Sequence, residues 1–460
     1  MTELLRQLGL ELPEMRVLHE PADTESFRFD ETAYIAAGTP LAVCFPRSTA
    51  HVVRIVELCA EAGVPIVPRG AGTGLSGGAV AVDGALTVSF TAMNELLEID
   101  TANLTATVQP GLINAELNRA VAEHGLLYPP DPASFETCTI GGNLAENSGG
   151  LRCVKYGVTR DWVMGLQVVL ADGSVIRTGG KNKKDVAGYD LTGLFVGSEG
   201  TLGLITEATL RLLPLPPPKL TLLAFFGSVR AAGQAVANMT AAGLLPVTLE
   251  LMDAFTIAAV DDVHQLGLDR AAAAMLMVES DLAGAAADAE LAVAEEACRA
   301  AGATSIIRSA DAQEADWLRQ ARRAAHGSLE RAGVARMDDV GVPRSKVPEM
   351  IEQIEQVAAR HGLPIAVFGH AGDGNLHPNY IVARDDPTAE ARIDAARDEI
   401  YRAALALGGT VTGEHGTGIA KRPWLELQRG GRAVEAMRAI KEALDPDGLL
   451  NPGKVLPARR

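Results

Sequence analysis

The chain has 460 residues and a mass of 48.2 kDa, enough for one very large domain or for two or three ordinary ones. Apolar residues make up 47% and charged residues 22%, a globular composition that argues against long disordered segments. The 41 basic and 58 acidic residues give a net charge of −17, which argues against general affinity for nucleic acids or anionic membranes. An anionic substrate would therefore need a local basic pocket.

The first half of the chain mixes predicted helices and strands without a regular βαβ order. Ser48 to Gly63 is a predicted helix, because Ser48 or Thr49 can cap its start and Gly63 stands where a C-terminal cap belongs. A short strand, Val64–Arg69, then enters a glycine-rich loop, and an apolar strand follows from Ala85. Further predicted elements are the strands Thr105–Val108, Val163–Leu170 and Gly203–Leu212 and the helix Ala115–His124. This mixture predicts an α+β fold.

The second half begins at a proline run, Leu215–Lys219, which indicates a domain boundary. Beyond it, alanine-rich helices such as Ala283–Ala301 alternate with short apolar strands such as Ala273–Val278. Two more helices are predicted at Pro348–Arg360 and Arg432–Leu444. The predicted organisation is an N-terminal helical segment (1–39), a first domain (40–214), a second α+β domain with an antiparallel sheet (215–410) and a C-terminal return (411–460).

The cysteine pattern and the lack of a predicted membrane-spanning segment indicate a reducing, aqueous environment. The five cysteines are scattered and form no C-x-x-C motif, so neither a disulfide framework nor a thiolate zinc site is predicted. The first residues lack the basic-then-apolar order of a secretory signal. The longest uncharged run, 231–249, is interrupted by polar residues and proline and makes a poor membrane span. We therefore expect a cytoplasmic protein without a membrane span.

A glycine-rich loop, Arg69–Gly78, carries five glycines between positions 70 and 78. Successive glycines let backbone N–H groups approach a phosphate closely. The loop formally matches G-x-G-x-x-G, but that dinucleotide motif requires a helix directly after it, and here a strand follows. A Rossmann fold is therefore not expected, and the loop alone would be taken for a flexible surface loop.

A second glycine- and amide-rich region follows Pro129–Asp131 and comprises Thr139–Asn143 and Asn147–Gly150. Such residues suit hydrogen bonds to a pyrophosphate, a ribose or the edge of a ring. For each asparagine, a capped turn is the alternative.

Together these segments resemble the flavoproteins of the vanillyl-alcohol oxidase and p-cresol methylhydroxylase superfamily, and Phe195–Ile205 is a further segment typical of them. The resemblance implies an FAD-binding domain at 40–214. Because 69–78 contains no histidine, noncovalent FAD is expected. The implied FAD-binding residues are Arg69, Gly70, Gly72, Thr73, Gly74, Leu75, Ser76, Gly77, Gly78, Pro130, Ile140, Gly141, Gly142, Asn143, Asn147, Gly149, Gly150 and Ile205.

Three of the nine histidines fall between positions 370 and 415. Asp373-Gly374 is a strong signal for a two-residue hairpin turn, which would place His370 and His377 directly opposite each other, with Cβ atoms about 4.5–5.5 Å apart. The segment Gly413–Gly418 adds Glu414 and a third imidazole. Two histidines and one glutamate form the ligand set of an open, catalytic zinc-type site.

Both histidine motifs resemble those of one branch of that superfamily, the FAD-linked D-2-hydroxyacid dehydrogenases. The resemblance extends from about residue 40 to the C-terminus. The resemblance implies that His370, His377 and Glu414 hold a divalent metal, Zn²⁺ or Mn²⁺. It further implies that Asn379 contacts the substrate and that His415 is the general base. Asn451 and Lys454, in the closing Asn-Pro-x-Lys pattern, would lie near the flavin.

The substrate carboxylate requires a cation, and Arg322 stands at the family position. Alternatively, Arg322 belongs to a solvated helix face. Relative to the D-2-hydroxyglutarate enzymes, this chain has His326 in place of Thr and Met337 in place of Lys. The missing Lys favours a smaller acid such as D-lactate or glycolate, although Arg323 or Arg336 could replace its charge.

The predicted function is FAD-dependent oxidation of a small anionic D-2-hydroxy acid, with hydride transfer to flavin N5. The alternatives are a D-2-hydroxyglutarate dehydrogenase and a non-catalytic FAD-binding subunit of a glycolate dehydrogenase complex, which typically lacks both histidine motifs. Alkyl-dihydroxyacetonephosphate synthases share the architecture but carry consecutive histidines, which this chain lacks. The reduced flavin would pass its electrons to a quinone, an electron-transfer protein or a partner subunit, and an oligomer is possible.

Overall fold

The computed structural model describes residues 3–459, apart from the side chains at positions 312 and 321. The chain forms two compact units. The first unit comprises Met1–Gly149, Val158–Leu215 and Glu414–Arg460, and the second comprises Gly150–Gly157 and Pro216–Gly413.

The strands are, in chain order, β1 (Arg16–Leu18), β2 (Ala42–Phe45), β3 (Ile66–Arg69), β4 (Leu86–Ser89), β5 (Leu96–Asp100), β6 (Thr105–Val108), β7 (Leu126–Leu127), β8 (Val163–Val169), β9 (Val175–Gly179), β10 (Leu204–Arg211), β11 (Leu213–Pro214), β12 (Leu220–Phe226), β13 (Thr248–Asp253), β14 (Ala274–Ser280), β15 (Ala303–Arg308), β16 (Val334–Met337), β17 (Val340–Gly341), β18 (Ile365–His370) and β19 (Asn375–Val382).

The α-helices are α1 (Glu3–Glu11), α2 (Pro21–Thr24), α3 (Thr49–Ala62), α4 (Asn114–Ala122), α5 (Ile140–Glu146), α6 (Cys153–Tyr156), α7 (Leu191–Phe195), α8 (Val229–Ala241), α9 (Ala254–His264), α10 (Ala285–Ala300), α11 (Ala312–Arg323), α12 (Ala325–Ala332), α13 (Val347–His361), α14 (Ala389–Ala406), α15 (Leu425–Arg429) and α16 (Gly431–Leu444). No helix in the described part of the chain combines the length and the apolar character that crossing a bilayer requires.

The first unit contains two main sheets. One has the order β1-β2-β4-β3, in which β2 and β3 both run parallel to β4, and the other has the antiparallel order β5-β6-β10-β8-β9. Helix α3 packs on the first sheet through its apolar stripe; Ser48 caps its start and Gly63, with φ +63°, ends it, as predicted. The glycine-rich loop leads into a strand rather than a helix, which confirms that the fold is not of the Rossmann type.

The second unit is built on one antiparallel sheet with the order β15-β12-β14-β13-β18-β19-β16, and β17 also pairs with β19. Helices α9, α11 and α12 pack on one face of this sheet around the apolar side chains of Met252, Met277 and Phe368. The combination of helices with antiparallel sheets confirms the predicted α+β class.

Candidate functional site

The glycine-rich loop of the first unit approaches its neighbours too closely for side chains at two positions. A Cβ at Gly70 would collide with Thr139 Oγ1, and a Cβ at Gly72, where φ is +83°, would collide with the guanidinium of Arg69. Arg69 is itself buried, and its Nη1 donates a 2.8 Å hydrogen bond to the Phe29 carbonyl. The loop therefore depends on glycine for its backbone path.

The second glycine-rich region is a short helix, α5, which the sequence did not predict. Thr139 caps it, its Oγ1 accepting a 3.2 Å hydrogen bond from the Gly142 amide. Since Gly70 also abuts Thr139, the structure brings the loop and the start of α5 together. At Gly141 a Cβ would lie 2.6 Å from the Pro110 Cβ. The result is a cradle of closely packed, glycine-rich backbone, a kind of surface that suits a phosphate-bearing cofactor.

The asparagines of this region already have protein partners. Asn143 Oδ1 accepts from Asn114 Nδ2 at 3.1 Å. Asn147 ends α5 with φ +55°, and its Oδ1 accepts from the Arg160 amide at 2.8 Å, so it forms the capped turn that the sequence left open. Two other predicted positions accept hydrogen bonds through their carbonyl oxygens: Pro130 from the Asn114 side chain and Ser76 from the amides of Ile419 and Ala420.

The remaining predicted positions are placed as follows: Thr73, Gly74, Leu75 and Gly77 lie in the glycine-rich loop, Ile205 lies in β10, and Gly149 and Gly150 follow α5. The boundary between the two units falls between Gly149 and Gly150.

Asn451 and Lys454 attach the C-terminal segment to the end of the glycine-rich loop. Asn451 Nδ2 donates to the Gly78 carbonyl at 3.0 Å and to the Glu199 carbonyl at 2.8 Å, and Lys454 Nζ donates to the Val80 carbonyl at 2.7 Å. Burial lowers the pKa of Lys454 to about 8. Both side chains thus hold the loop through its backbone.

Two buried carboxyl groups lie beside this loop. Glu199 accepts hydrogen bonds from the amides of Thr417 and Gly418 at 2.7 and 2.8 Å, yet burial raises its pKa to about 7. Burial, followed by the charge of Glu199, raises the pKa of Glu146 well above its ordinary value. Glu199 therefore anchors the segment that follows His415.

In the second unit, the hairpin of β18 and β19 differs from the predicted one. His370 pairs with Asn375, and Phe368 pairs with His377, so the predicted two-residue turn is wrong. The connection has four residues because the amides of Asp373 and Gly374 both donate to the His370 carbonyl, at 3.2 and 2.9 Å. The two histidines are diagonal neighbours on the same face. Their rings are nearly perpendicular with centroids 5.1 Å apart.

The same face of β19 carries Asn379. Its Nδ2 donates to the His377 carbonyl at 2.7 Å, whereas its buried Oδ1 has no hydrogen-bond partner among residues 3–459. Met337 is its cross-strand partner on β16. Asn379 therefore presents a free acceptor beside a thioether side chain.

Arg322 on α11 reaches the same face of the sheet. Its Nε donates a 2.7 Å hydrogen bond to Glu250 Oε2, and its guanidinium lies over the Phe368 ring, 4.5 Å from the centroid. The side chain is 9% exposed, so the solvated-face alternative is wrong for Arg322, although Arg323 is exposed. Glu250 Oε1 lies 2.7 Å from His370 Nδ1.

Asp339, between β16 and β17, is buried beside His377. Its Oδ1 lies 3.9 Å from His377 Nδ1, and its Oδ2 accepts from Thr412 Oγ1 at 2.8 Å and from the Gly413 amide at 2.7 Å. Gly413 is the last residue of the second unit. Glu414 and His415, both half-buried, follow it in the chain and begin the final segment of the first unit.

Sequence reasoning missed Glu250 and Asp339. Glu250 stands 120 positions before its partner His370, so no local spacing relates them. Its signal is a charged side chain in the middle of an apolar strand, which requires a buried partner. Asp339 had no comparable signal, since a pair of aspartates between two short strands is typical of a solvated turn.

The chain belongs to the FAD-linked oxidase family. Residues 215–455, more than half of the chain, match the C-terminal domain of FAD-linked oxidases, and residues 40–179 match an FAD-binding domain. The predicted family and the FAD-binding architecture are thereby confirmed.

Relatives with known names share nearly the whole chain. The glycolate oxidase subunit GlcD of Bacillus subtilis (strain 168) is 48% identical over 90% of this chain and 89% of its own. A D-2-hydroxyglutarate dehydrogenase of Xanthomonas citri pv. viticola is 36% identical over 96% and 95%, and a D-lactate dehydrogenase of Anaerostipes hadrus is 33% identical over 97% and 95%. Among solved structures, p-cresol methylhydroxylase superposes with a TM-score of 0.83 at 17% identity over 98% of this chain and 96% of its own, which confirms the fold type.

Proposed function

We propose that the protein oxidises a small D-2-hydroxy acid, D-lactate or glycolate in preference, to the 2-oxo acid with FAD as hydride acceptor. The names of its relatives support this class of substrate. One observation carries the proposal: a guanidinium, two imidazoles and a buried amide oxygen lie on a single sheet face of the second unit, and that oxygen has no hydrogen-bond partner in the described part of the chain. These groups suit a substrate with a carboxylate and an adjacent hydroxyl.

We assign noncovalent FAD to the cradle of the first unit. Gly70 lets the loop pack against Thr139, the cap of α5, and Gly141 lets the first turn of that helix pack against Pro110; such glycine-rich backbone suits a pyrophosphate. Asn451 and Lys454 support the cradle by holding Gly78 and Val80. When bound, the flavin supplies a two-electron acceptor for the hydrogen on the substrate Cα.

We assign a divalent metal, Zn²⁺ or Mn²⁺, to His370, His377 and Glu414. The two rings lie with centroids 5.1 Å apart, and Glu250 on Nδ1 of His370 leaves Nε2 as the ligating nitrogen. Two imidazoles and a carboxylate match the donor set of an open catalytic site. When bound, the metal lowers the pKa of a coordinated hydroxyl group.

The remaining roles belong to three side chains. No hydrogen bond within the described chain uses the two terminal nitrogens of Arg322, which leaves them for the substrate carboxylate. Asn379 Oδ1 can accept from the substrate hydroxyl. His415 in its neutral form would take the hydroxyl proton as the Cα hydrogen leaves as hydride.

The preference for a small acid rests on Met337. It lies in register with Asn379, so an uncharged thioether occupies the position beside the proposed substrate contact. Arg336, the neighbouring cation, pairs with Glu390 instead, with the nitrogen and oxygen 3.3 Å apart. A second carboxylate, as in D-2-hydroxyglutarate, would therefore lack a cation at this position.

The reduced flavin must also be reoxidised. Because a relative is named as a subunit, we infer that a partner subunit, an electron-transfer protein or a quinone accepts the electrons.

The test is to record the visible spectrum of the FAD-loaded protein without oxygen and to add D-lactate, glycolate and D-2-hydroxyglutarate separately. We expect the flavin bands to bleach with one of the two small acids, to resist after chelation, and to respond again when Zn²⁺ or Mn²⁺ is added. If only D-2-hydroxyglutarate bleached the flavin, the substrate would be D-2-hydroxyglutarate rather than D-lactate or glycolate. If none of the three acids changed the flavin spectrum with metal supplied, the result would favour a non-catalytic FAD-binding subunit.

A further inference from the structure

Glu250 is a buried charge at the centre of the second unit's sheet. It lies in β13, between Leu249 and Leu251, and its side chain is 1% exposed. A carboxylate removed from water to this extent is strongly destabilising unless each oxygen finds a partner. Both of its oxygens have one.

The two partners are the groups proposed to bind the metal and the substrate. Oε1 lies 2.7 Å from His370 Nδ1, and Oε2 accepts from Arg322 Nε at 2.7 Å. A guanidinium N–H can only donate, so Oε2 is an acceptor, and an imidazole nitrogen lies within hydrogen-bond distance of the other oxygen. Glu250 thus lies between two basic side chains and contacts one with each oxygen.

Each contact constrains the group it touches. A carboxylate on Nδ1 favours the tautomer with the proton on that nitrogen, which makes Nε2 of His370 the nitrogen with the lone pair. On Arg322, the bond at Nε and the stacking on Phe368 fix the guanidinium plane while both terminal nitrogens remain available.

We propose that Glu250 is a positioning residue that fixes the metal-binding imidazole of His370 and the carboxylate-binding guanidinium of Arg322 at a set separation. This inference rests on the proposed function. A 2-hydroxy acid has its carboxylate and its hydroxyl on adjacent carbons, so a rigid link between the two binding groups selects for that spacing and for one orientation of the Cα hydrogen.

The test uses Glu250→Gln in the full-length, FAD-loaded protein. Glutamine keeps the shape but offers only one acceptor oxygen, so it cannot serve both N–H donors. We expect the affinity for Zn²⁺, measured by competition with a fluorescent chelator and no substrate, to fall about 10- to 100-fold. The KM for the acid should rise more than kcat falls, and the Nδ1 signal of His370 in a ¹⁵N NMR spectrum should move, while the flavin content stays the same.

Glu279→Gln is the matched control. Glu279 is a buried glutamate on the adjacent strand β14, and it also has two basic partners, Lys219 and Arg319, but it touches neither His370 nor Arg322. We expect this variant to lose stability while its Zn²⁺ affinity and KM stay within twofold of the wild type. Glu250→Asp, which keeps the charge but shortens the side chain, provides a second variant if Glu250→Gln fails to fold, and it should bind Zn²⁺ with reduced affinity.

Three outcomes distinguish this inference from the proposed function. Reduced Zn²⁺ affinity and raised KM in the Glu250 variants alone support the positioning role. Suppose instead that the wild type binds Zn²⁺ and its flavin bleaches with the hydroxy acid, while the Glu250 variant has unchanged Zn²⁺ affinity and KM. That result would overturn the positioning role of Glu250 but leave the proposed function standing. A wild type that neither binds the metal nor bleaches would overturn both.

Discussion

The amide of Gly413 donates a 2.7 Å hydrogen bond to the buried carboxylate of Asp339. The same carboxylate accepts from Thr412 and from Asn375, and it lies 3.9 Å from His377 Nδ1. One side chain thus lies beside the proposed metal ligand His377 and binds Thr412 and Gly413 of the same unit. We expect Asp339 to help position His377.

Asp339→Asn should therefore weaken metal binding. Asparagine replaces one acceptor oxygen by an NH₂ group that faces N–H and O–H donors, which costs about 1–3 kcal/mol of stability. We expect Zn²⁺ affinity to fall about 10-fold or more in chelator competition. Asp338→Asn is the control, because Asp338 is also buried but accepts from Tyr401, Arg397 and the Asp339 amide rather than from Thr412 or Gly413. An equal loss of affinity in both variants would contradict a specific role for Asp339.

Arg322→Gln tests carboxylate binding. Removal of a charge-assisted, two-point contact should raise the KM for the acid about 10- to 100-fold, with a smaller effect on kcat. Arg319→Gln is the control: Arg319 lies one helical turn from Arg322, and its guanidinium pairs with Glu279 and Asp316. Steady-state kinetics should show a normal KM for this control. If the KM rises equally in both, helix α11 rather than the Arg322 side chain sets the affinity.

His415→Ala tests the proposed base. General-base catalysis contributes about 10²- to 10⁴-fold to a rate, so flavin reduction in a stopped-flow experiment should slow by that factor. The flavin spectrum should be unchanged. His124→Ala, an exposed histidine after α4, is the control and should reduce its flavin at the wild-type rate. Near-normal reduction in His415→Ala would show that another group takes the proton.

Gly416→Ala should destabilise the first unit. Gly416 has φ +83°, and a Cβ there would collide with Glu146 Oε2 and lie 3.2 Å from Glu199 Oε1. At Gly430 φ is +80° and a Cβ would meet nothing within 4 Å. Gly430→Ala therefore measures the cost of placing a side chain at positive φ without a collision, about 1–3 kcal/mol. Denaturant unfolding should show a larger loss for Gly416→Ala, and equal losses would argue that the carboxyl groups move aside.

Local signals in the sequence were enough for the elements that depend on neighbouring residues. The serine cap and the glycine stop of α3 lie within the helix sequence itself, and the structure has both. The strands that flank the glycine-rich loop were predicted for the same reason, because their apolar, β-branched runs are local.

Long-range partners determined the rest. The register of the β18–β19 hairpin depends on which carbonyl accepts from Asp373 and Gly374, and the Asp-Gly pair alone suggested a shorter turn. Glu250 reaches His370 from strand β13, and Asp339 lies beside His377 from the connection between β16 and β17, so only the folded sheet reveals them. The two histidines still share a face, because the register differs from the predicted one by an even number of residues and such a shift preserves the face.

The buried Glu199 gives the first unit a stability that depends on pH. Its folded-state pKa of about 7 lies above the ordinary 4.5, so between these values the folded chain holds a proton that the unfolded chain has lost. Its contribution is complete below about pH 4.5 and is lost as the pH rises to about 7. The free energy of unfolding should therefore decrease over this range, by up to about 3 kcal/mol from this group.

Glu199→Gln should flatten that decrease, since an amide resembles the protonated carboxyl and does not titrate. Urea unfolding of the FAD-loaded protein at pH 5, 6 and 7 measures the slope. Glu279→Gln is the control: the pKa of Glu279 is lowered to about 2, its burial being outweighed by Lys219 and Arg319. The contribution of Glu279 to stability is constant above about pH 4.5, so Glu279→Gln should lower the free energy of unfolding equally at all three pH values. A slope in Glu199→Gln as steep as in the wild type would mean that Glu199 does not hold the proton.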